Sequence, residues 1–343
     1  MLRLLFYRCY FSLSRLASLG ACFVAIFALI GCSSQQGVES QQINVLQPKL
    51  FDPWCDYAVS GQADIVTQEC LDNAKQGDEN AATNLAYLYA KGMLVEQDNH
   101  RAMDLYQVAA EQGMPEAQFS LAEMYRSGKA GEAEPELARY WYQRLASQPV
   151  EPPLPRHQVD AQFMLGLMHF QGFGGDVDLV RAEKWLKQSS DNDHSEAPYV
   201  LGQIYLEQYH KPELALNWYQ VSSERKFAPA MHQIGMMYLN GLLGDIDAVK
   251  AEAWLHQAAA LGLAEAQVDL ATLEFNERHN QPNFIKIYVW LDAAASQDNA
   301  MAKQRLEFII AKLPPQQLAA AQALSQQCIE SQFKQCTSLH LVN

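Results

Sequence analysis

Positive charge is scarce in this chain: 25 lysines and arginines stand against 39 aspartates and glutamates in 343 residues, a formal charge of −14. No basic cluster interrupts the acidic field, so a phosphate backbone would be repelled and nucleic acid is not an expected partner. Cysteine is sparse as well, seven in all, with no C-x-x-C and no clustered histidine to suggest zinc. The G-x-S-x-G of a serine hydrolase and the K-T-G of a serine β-lactamase are both missing. Gly172-Phe173-Gly174-Gly175 is too short for a phosphate loop and has no lysine after it. Asp176-x-Asp178 and Asp245-x-Asp247 have no third carboxylate at a recurrent spacing that would make them metal ligands. The expectation is a protein without enzymatic activity, catalytic residue, metal or cofactor.

What is present begins with a leader. Residues 1–31 hold Arg3, Arg8 and Arg15, no acid, and then the uncharged run "LASLGACFVAIFALIG". A basic stretch followed by an apolar one reads as a removable secretory signal, and sixteen residues are short for a membrane span. The run ends in Leu29-Ile30-Gly31-Cys32, which resembles a bacterial lipobox, so Cys32 is the expected lipidation site and membrane anchor. Ser33 after it resembles the pattern sorted to the outer membrane, with the protein facing the periplasm. Losing the signal takes the formal charge from −14 to −17. Residues 32–50 are polar and read as a flexible tether. Cys55, Cys70, Cys328 and Cys336 remain, and in an oxidising periplasm they suggest two disulfides. Pairing of near neighbours is the simplest of the three connectivities.

The strongest signal is internal repetition. Residues 241–255 read "GLLGDIDAVKAEAWL" and residues 172–186 read "GFGGDVDLVRAEKWL", identical at nine of fifteen positions. Trp141, Trp185, Trp218, Trp254 and Trp290 fall on the same pattern, and an alanine stands three residues before the first four of them. Upstream of each lies a second string with apolar residues four apart: Ala81, Leu85, Tyr89, then Gly92; Ala117, Leu121, Tyr125, then Gly128; Ala161, Leu165, His169, then Gly172. That spacing puts them on one face of an α-helix, and the glycine suits a left-handed turn at its end. Each unit is therefore helix A, a turn, and helix B. Asp98, Asp178, Asp247 and Asn283 are placed to cap helix B, and Pro135 and Pro212 serve as first helical residues where no such cap stands. The small residue after the central leucine or isoleucine (Ala86, Ala122, Gly166, Gly202, Gly235, Ala271) would let helix B approach closely.

The composite pattern A-x-x-x-[LI]-[GA]-x-x-Y-x-x-G … D-x-x-x-A-x-x-W-[YL]-x-x-A-A resembles the Sel-one-like repeat, a relative of the tetratricopeptide repeat. Six copies over 79–300 imply an all-α, right-handed α-solenoid of stacked antiparallel helix pairs. Residues 51–78 then form an N-terminal helical cap and 301–343 a C-terminal one, with a proline-rich insertion near 147–160.

By analogy with tetratricopeptide repeats, helix A residues just off the core stripe would line a concave groove: Tyr87, Glu123, Arg126, Leu167, Phe170, Gln203, Met236 and Phe275. A second stripe, Phe119, Phe163 and Tyr199, reads as packing between repeats. The resemblance implies a scaffold for protein–protein contacts in cell-envelope assembly, with envelope proteins or peptide segments in the groove. Two alternatives are a binder or hydrolase of β-lactam or peptidoglycan-type molecules and a scaffold for exopolysaccharide export.

Overall fold

A computed structural model describes residues 70–277, 282–334 and 336, so the leader, Cys32, the tether and Cys55 lie outside the described residues. After a helical stretch at 70–75 come α1 (Glu79–Lys91), α2 (Asn99–Glu111), α3 (Pro115–Ser127), α4 (Pro135–Ala146), α5 (Arg156–Gln171) and α6 (Leu179–Asp191). Then follow α7 (Ala197–Gln203), which runs into a π-helical turn at Ile204–Gln208, α8 (Pro212–Glu224), α9 (Ala228–Leu239) and α10 (Ala248–Ala260). The chain closes with α11 (Ala264–Glu277), α12 (Phe284–Ala295), α13 (Ala300–Ile310) and α14 (Pro315–Glu330). The architecture is an all-α solenoid of helix pairs, with no strand among the described residues.

Local chemistry sets the helix boundaries. Asp98, Asp178, Asp247 and Asn283 each accept the backbone N–H three residues on, at 2.9–3.1 Å. This satisfies one of the donors that a helix start leaves unpaired. α4 and α8 lack that bond and begin on Pro135 and Pro212. At the other end of helix A, Gly92, Gly128 and Gly172 close α1, α3 and α5 in the left-handed conformation, at φ of 64°, 65° and 70°. In repeat four, Gln208 stands in the glycine position. There the helix widens into the π turn, and His210 takes the left-handed conformation instead, at φ 54°. The proline-rich insertion is shorter than its sequence suggests, because 156–160 form the first turn of α5.

Packing within a pair rests on the small residue of helix A. A Cβ on Gly166 would lie 2.7 Å from Leu186 Cγ, one on Gly202 2.5 Å from Tyr219 Cε1, and one on Gly235 2.9 Å from Leu255 Cγ. The partner in every case is the residue after the repeat tryptophan. Tyr142, Leu186, Tyr219 and Leu255 are all essentially without solvent contact. The tryptophans themselves are graded: Trp141, Trp185 and Trp290 are buried, whereas Trp218 and Trp254 are only half-buried. The deepest slot of helix B thus lies one residue beyond the one that the tryptophans mark.

Neighbouring pairs are tied by glutamine and arginine. Gln118 Nε2 donates to the carbonyl of Ala110 at 2.9 Å while its Oε1 accepts from Gln148, also at 2.9 Å. Gln267 repeats the arrangement with Ala259 and Gln297 at 3.2 and 3.0 Å. Arg139 reaches from α4 to the carbonyls of Met168 and Phe173, capping the end of α5. The core follows the stack as four successive clusters of buried side chains, as expected where each unit buries its apolar face on its neighbours. At the C-terminal end Cys328 and Cys336 are joined by a disulfide, and Phe333 lies over Gly262. Cys70 is also disulfide-bonded.

Candidate functional site

The A helices of successive units meet side by side. The Phe119 ring of α3 lies 5.4 Å from the His157 ring of α5. Asp160 of α5 is near enough to Glu196, at the start of α7, to act on its charge. The Tyr199 ring of α7 lies 5.3 Å from that of Phe227, at the start of α9, and His232 Nε2 of α9 lies 2.7 Å from Asp269 Oδ2 of α11. Arg305 of α13 donates to Thr272 Oγ1 of α11 at 2.6 Å. One continuous face therefore runs from α3 to α13, built entirely from helix A side chains.

On this face Glu123, Arg126, Leu167, Gln203 and Met236 are half-buried and Phe275 is exposed, while Tyr87, on α1 before it, is also half-buried. Phe170 differs, because it is buried beside Phe163, Leu201 and Ile204 and packs the interior. Glu123 and Arg126 are committed to each other through two hydrogen bonds of 3.1 and 2.6 Å, and the Tyr142 hydroxyl also donates to Glu123. The aromatic stripe packs between units: Phe119 edge-on to Tyr142, Phe163 stacked on His194, and Tyr199 against Tyr219 and Phe227.

Two arrangements had no motif to announce them. His194 stands two residues before Glu196, the cap residue of α7, and its Nδ1 accepts the N–H groups of Glu196 and Ala197, both at 3.3 Å. That bonding requires the neutral ring, and burial, with Arg156 and Arg225 nearby, pushes its pKa down to about 4. On α6, Glu183 accepts from Lys187 Nζ at 2.6 Å and from the hydroxyls of Tyr205 and Tyr209.

The chain also contains Ser190-Asp191-Asn192 and Ser223-x-x-Lys226, short motifs of the kind found in penicillin-recognising enzymes. Here both hydroxyls have structural partners. Ser190 is buried and accepts from Arg225, and Ser223 donates to the carbonyl of Gln220 at 2.8 Å.

A stack of helix pairs with one continuous A-helix face defines an α-solenoid of the tetratricopeptide-like class. Within that class the chain belongs to the Sel1 repeat family, whose model matches residues 80–114, 115–150, 159–194, 195–226 and 228–263. The exopolysaccharide production negative regulator of Rhizobium leguminosarum bv. viciae is 30% identical over 162 residues, 43% of this chain and 58% of that protein. Chitin synthase regulatory factor 3 of Schizosaccharomyces pombe is 27% identical over 77% of this chain and 28% of its own length. The chain thus spans between about a quarter and three fifths of these two relatives. Among solved structures, a protective antigen of uropathogenic Escherichia coli with an SLR fold is 26% identical. It covers 84% of this chain and 62% of its own, at a TM-score of 0.65. A Sel1 repeat protein from Oxalobacter formigenes matches 70% of this chain and 94% of its own, with a TM-score of 0.58 and 23% identity. Sel1-repeat proteins mediate protein–protein interactions and are generally non-catalytic scaffolds.

Proposed function

We propose that this protein is a lipid-anchored, periplasm-facing scaffold of the bacterial outer membrane that docks a partner protein on its A-helix face during envelope assembly. The observation that carries the docking role is the continuous face from α3 to α13, on which Leu167 and Met236 are half-buried and Phe275 is exposed. Apolar groups of this kind, interleaved with fixed polar ones, suit the core of a protein interface. The basic and apolar leader ending in Cys32 supports the anchor, and the cysteines joined as disulfides support an oxidising compartment. α11 and α12 are read as a sixth, degenerate copy of the repeat, beyond the five matched. The name of the rhizobial relatives favours a second reading, in which the scaffold serves exopolysaccharide production.

Leu167→Glu and Met236→Glu test the docking role, since both place a charge on the face with their side chains half in solvent. Partner recovery from detergent-solubilised membranes should fall at least tenfold while the melting curve stays cooperative. Recovery equal to wild type from a folded double variant would remove the A face as the docking surface.

A further inference from the structure

Most acidic groups of the described A face and its border are already balanced. Glu123 is held by Arg126, Asp160 by Arg156 Nε at 2.8 Å, Asp269 by His232, and Glu183 by Lys187. Repeat four breaks the pattern twice. Glu196, at the start of α7, is half-buried, and its nearest cation, Arg156, is already engaged by Asp160. Glu207 sits in the π turn that replaces the usual glycine ending, close enough to Tyr199 and Tyr219 to act on both hydroxyls. Partial burial raises the pKa of Glu196, whereas Glu207 stands exposed at the surface with no ion pair among the described residues. π turns inside helices recur at functional sites, and this one brings a carboxylate beside the tyrosines of the face.

Between these two carboxylates lie Tyr199 and Gln203, linked by a 3.3 Å hydrogen bond. Leu167 of α5 packs on the same apolar cluster as Tyr199, and Met236 lies on α9, the next A helix; all four side chains are half-buried. At about 1.5 Å per residue the two acids are roughly 16 Å apart along the helix, too far for one cation to bridge. An occupant complementary to this stretch in charge therefore carries at least two positive side chains with apolar groups between them. The overall charge of −14 would steer such a segment in and disfavour an acidic one.

We propose that the A face of repeats three to five receives a basic amphipathic segment of a partner protein. Its lysine or arginine side chains meet Glu196 and Glu207, and its apolar side chains cover Leu167, Tyr199 and Met236. This rests on the docking role of the A face and adds the chemistry of what docks.

The test uses the full chain in detergent and a fluorescein-labelled 18-residue Lys/Leu amphipathic peptide, read by anisotropy, beside the same peptide with Glu for every Lys. The Lys peptide should bind and the Glu peptide should not. E196Q/E207Q should weaken binding at least tenfold. E132Q/E213Q removes the same charge from exposed sites elsewhere on the chain and should change it less than twofold. Equal weakening by both double variants would mean diffuse attraction to an acidic protein and would overturn the proposal. So would failure of the Lys peptide to bind wild type, or equal binding of the Glu peptide. A cellular partner crosslinked at Leu167 through an acidic or uncharged segment would overturn the basic-segment inference while leaving the docking role intact.

Discussion

A single methyl group at Gly202 sets two opposing effects against each other. Replacing a helix-interior glycine with alanine gains roughly 0.8–1 kcal/mol of helix propensity. At this position, however, the new Cβ would lie 2.5 Å from Tyr219 Cε1, 2.6 Å from Cδ1 and 3.0 Å from Cζ. The ring is 1% exposed and meets Tyr199 at 5.7 Å between centroids, so it has little room to swing aside. Overpacking costs about 1–3 kcal/mol, and a 2.5 Å contact with a ring held in place puts this case at about 2–3 kcal/mol before the propensity gain is subtracted, because the α7–α8 pair must spread. The net expectation for Gly202→Ala is a loss of about 1–2 kcal/mol. In a chain of this size that lowers the melting temperature by roughly 2–4 °C. Circular dichroism melts of wild type and variant would show it. A double-mutant cycle with Tyr219→Ala isolates the clash, since in that background the added methyl should stabilise by its propensity alone. A Gly202→Ala protein that melts at or above the wild-type temperature would refute the idea that the small residue exists to admit the facing side chain.

Leu186→Ala, at a position without solvent contact, should cost about 2–5 kcal/mol. Val180→Ala, at a 77% exposed position near the start of the same helix, should stay within about 0.5 kcal/mol; denaturant titration separates them. His194 is buried neutral and its folded pKa lies below the unfolded value of about 6.5. Its contribution to stability is therefore intact above that pH and is lost as pH falls toward about 4, by up to about 3 kcal/mol. His194→Asn, which keeps a cap but cannot titrate, should flatten that part of the stability–pH curve. Replacing both Cys328 and Cys336 with serine opens a loop of sequence separation 8 and should cost about 2–3 kcal/mol on the chain-entropy model, seen as earlier exchange of α14 amide protons. Cys32→Ala should move the protein from the membrane to the soluble periplasmic fraction, and retention in the membrane would contradict the lipid anchor.

The helix pairs were legible because their rules are local. Asp98, Asp178, Asp247 and Asn283 cap helices by reaching three residues along the chain, and Gly92, Gly128 and Gly172 end them by their own backbone freedom. The close approach at Gly166, Gly202 and Gly235 was legible too, since a missing side chain at one recurrent position signals a neighbour's backbone or side chain. Its partner was less plain. Tryptophan draws the eye by size, yet the residue after it points into the pair while Trp218 and Trp254 keep one edge in solvent. The Tyr-or-Leu position in the repeat pattern was the available clue.

The A face was only partly readable. Leu167, Gln203 and Met236 follow from helical phase, but Phe170 turns inward to fill space beside Phe163 and Ile204. The π turn at Ile204–Gln208 follows from no residue rule beyond the missing glycine, and it carries Glu207, which is near enough to act on the Tyr199 hydroxyl. Arg139 closing a helix of the next unit depends on a contact between units that spacing within one repeat does not encode, and His194, though it reaches only two and three residues along, is not one of the usual capping residue types.

The most direct test of the docking face is photocrosslinking in living cells, with a photoreactive residue in place of Leu167 on the A face or, as a control, of Val249, which is 79% exposed at the start of α10. A face that receives a partner requires one dominant crosslinked protein from position 167 and none from 249. Equal crosslinking from both, or crosslinking from 249 alone with the protein folded and membrane-bound, would contradict it.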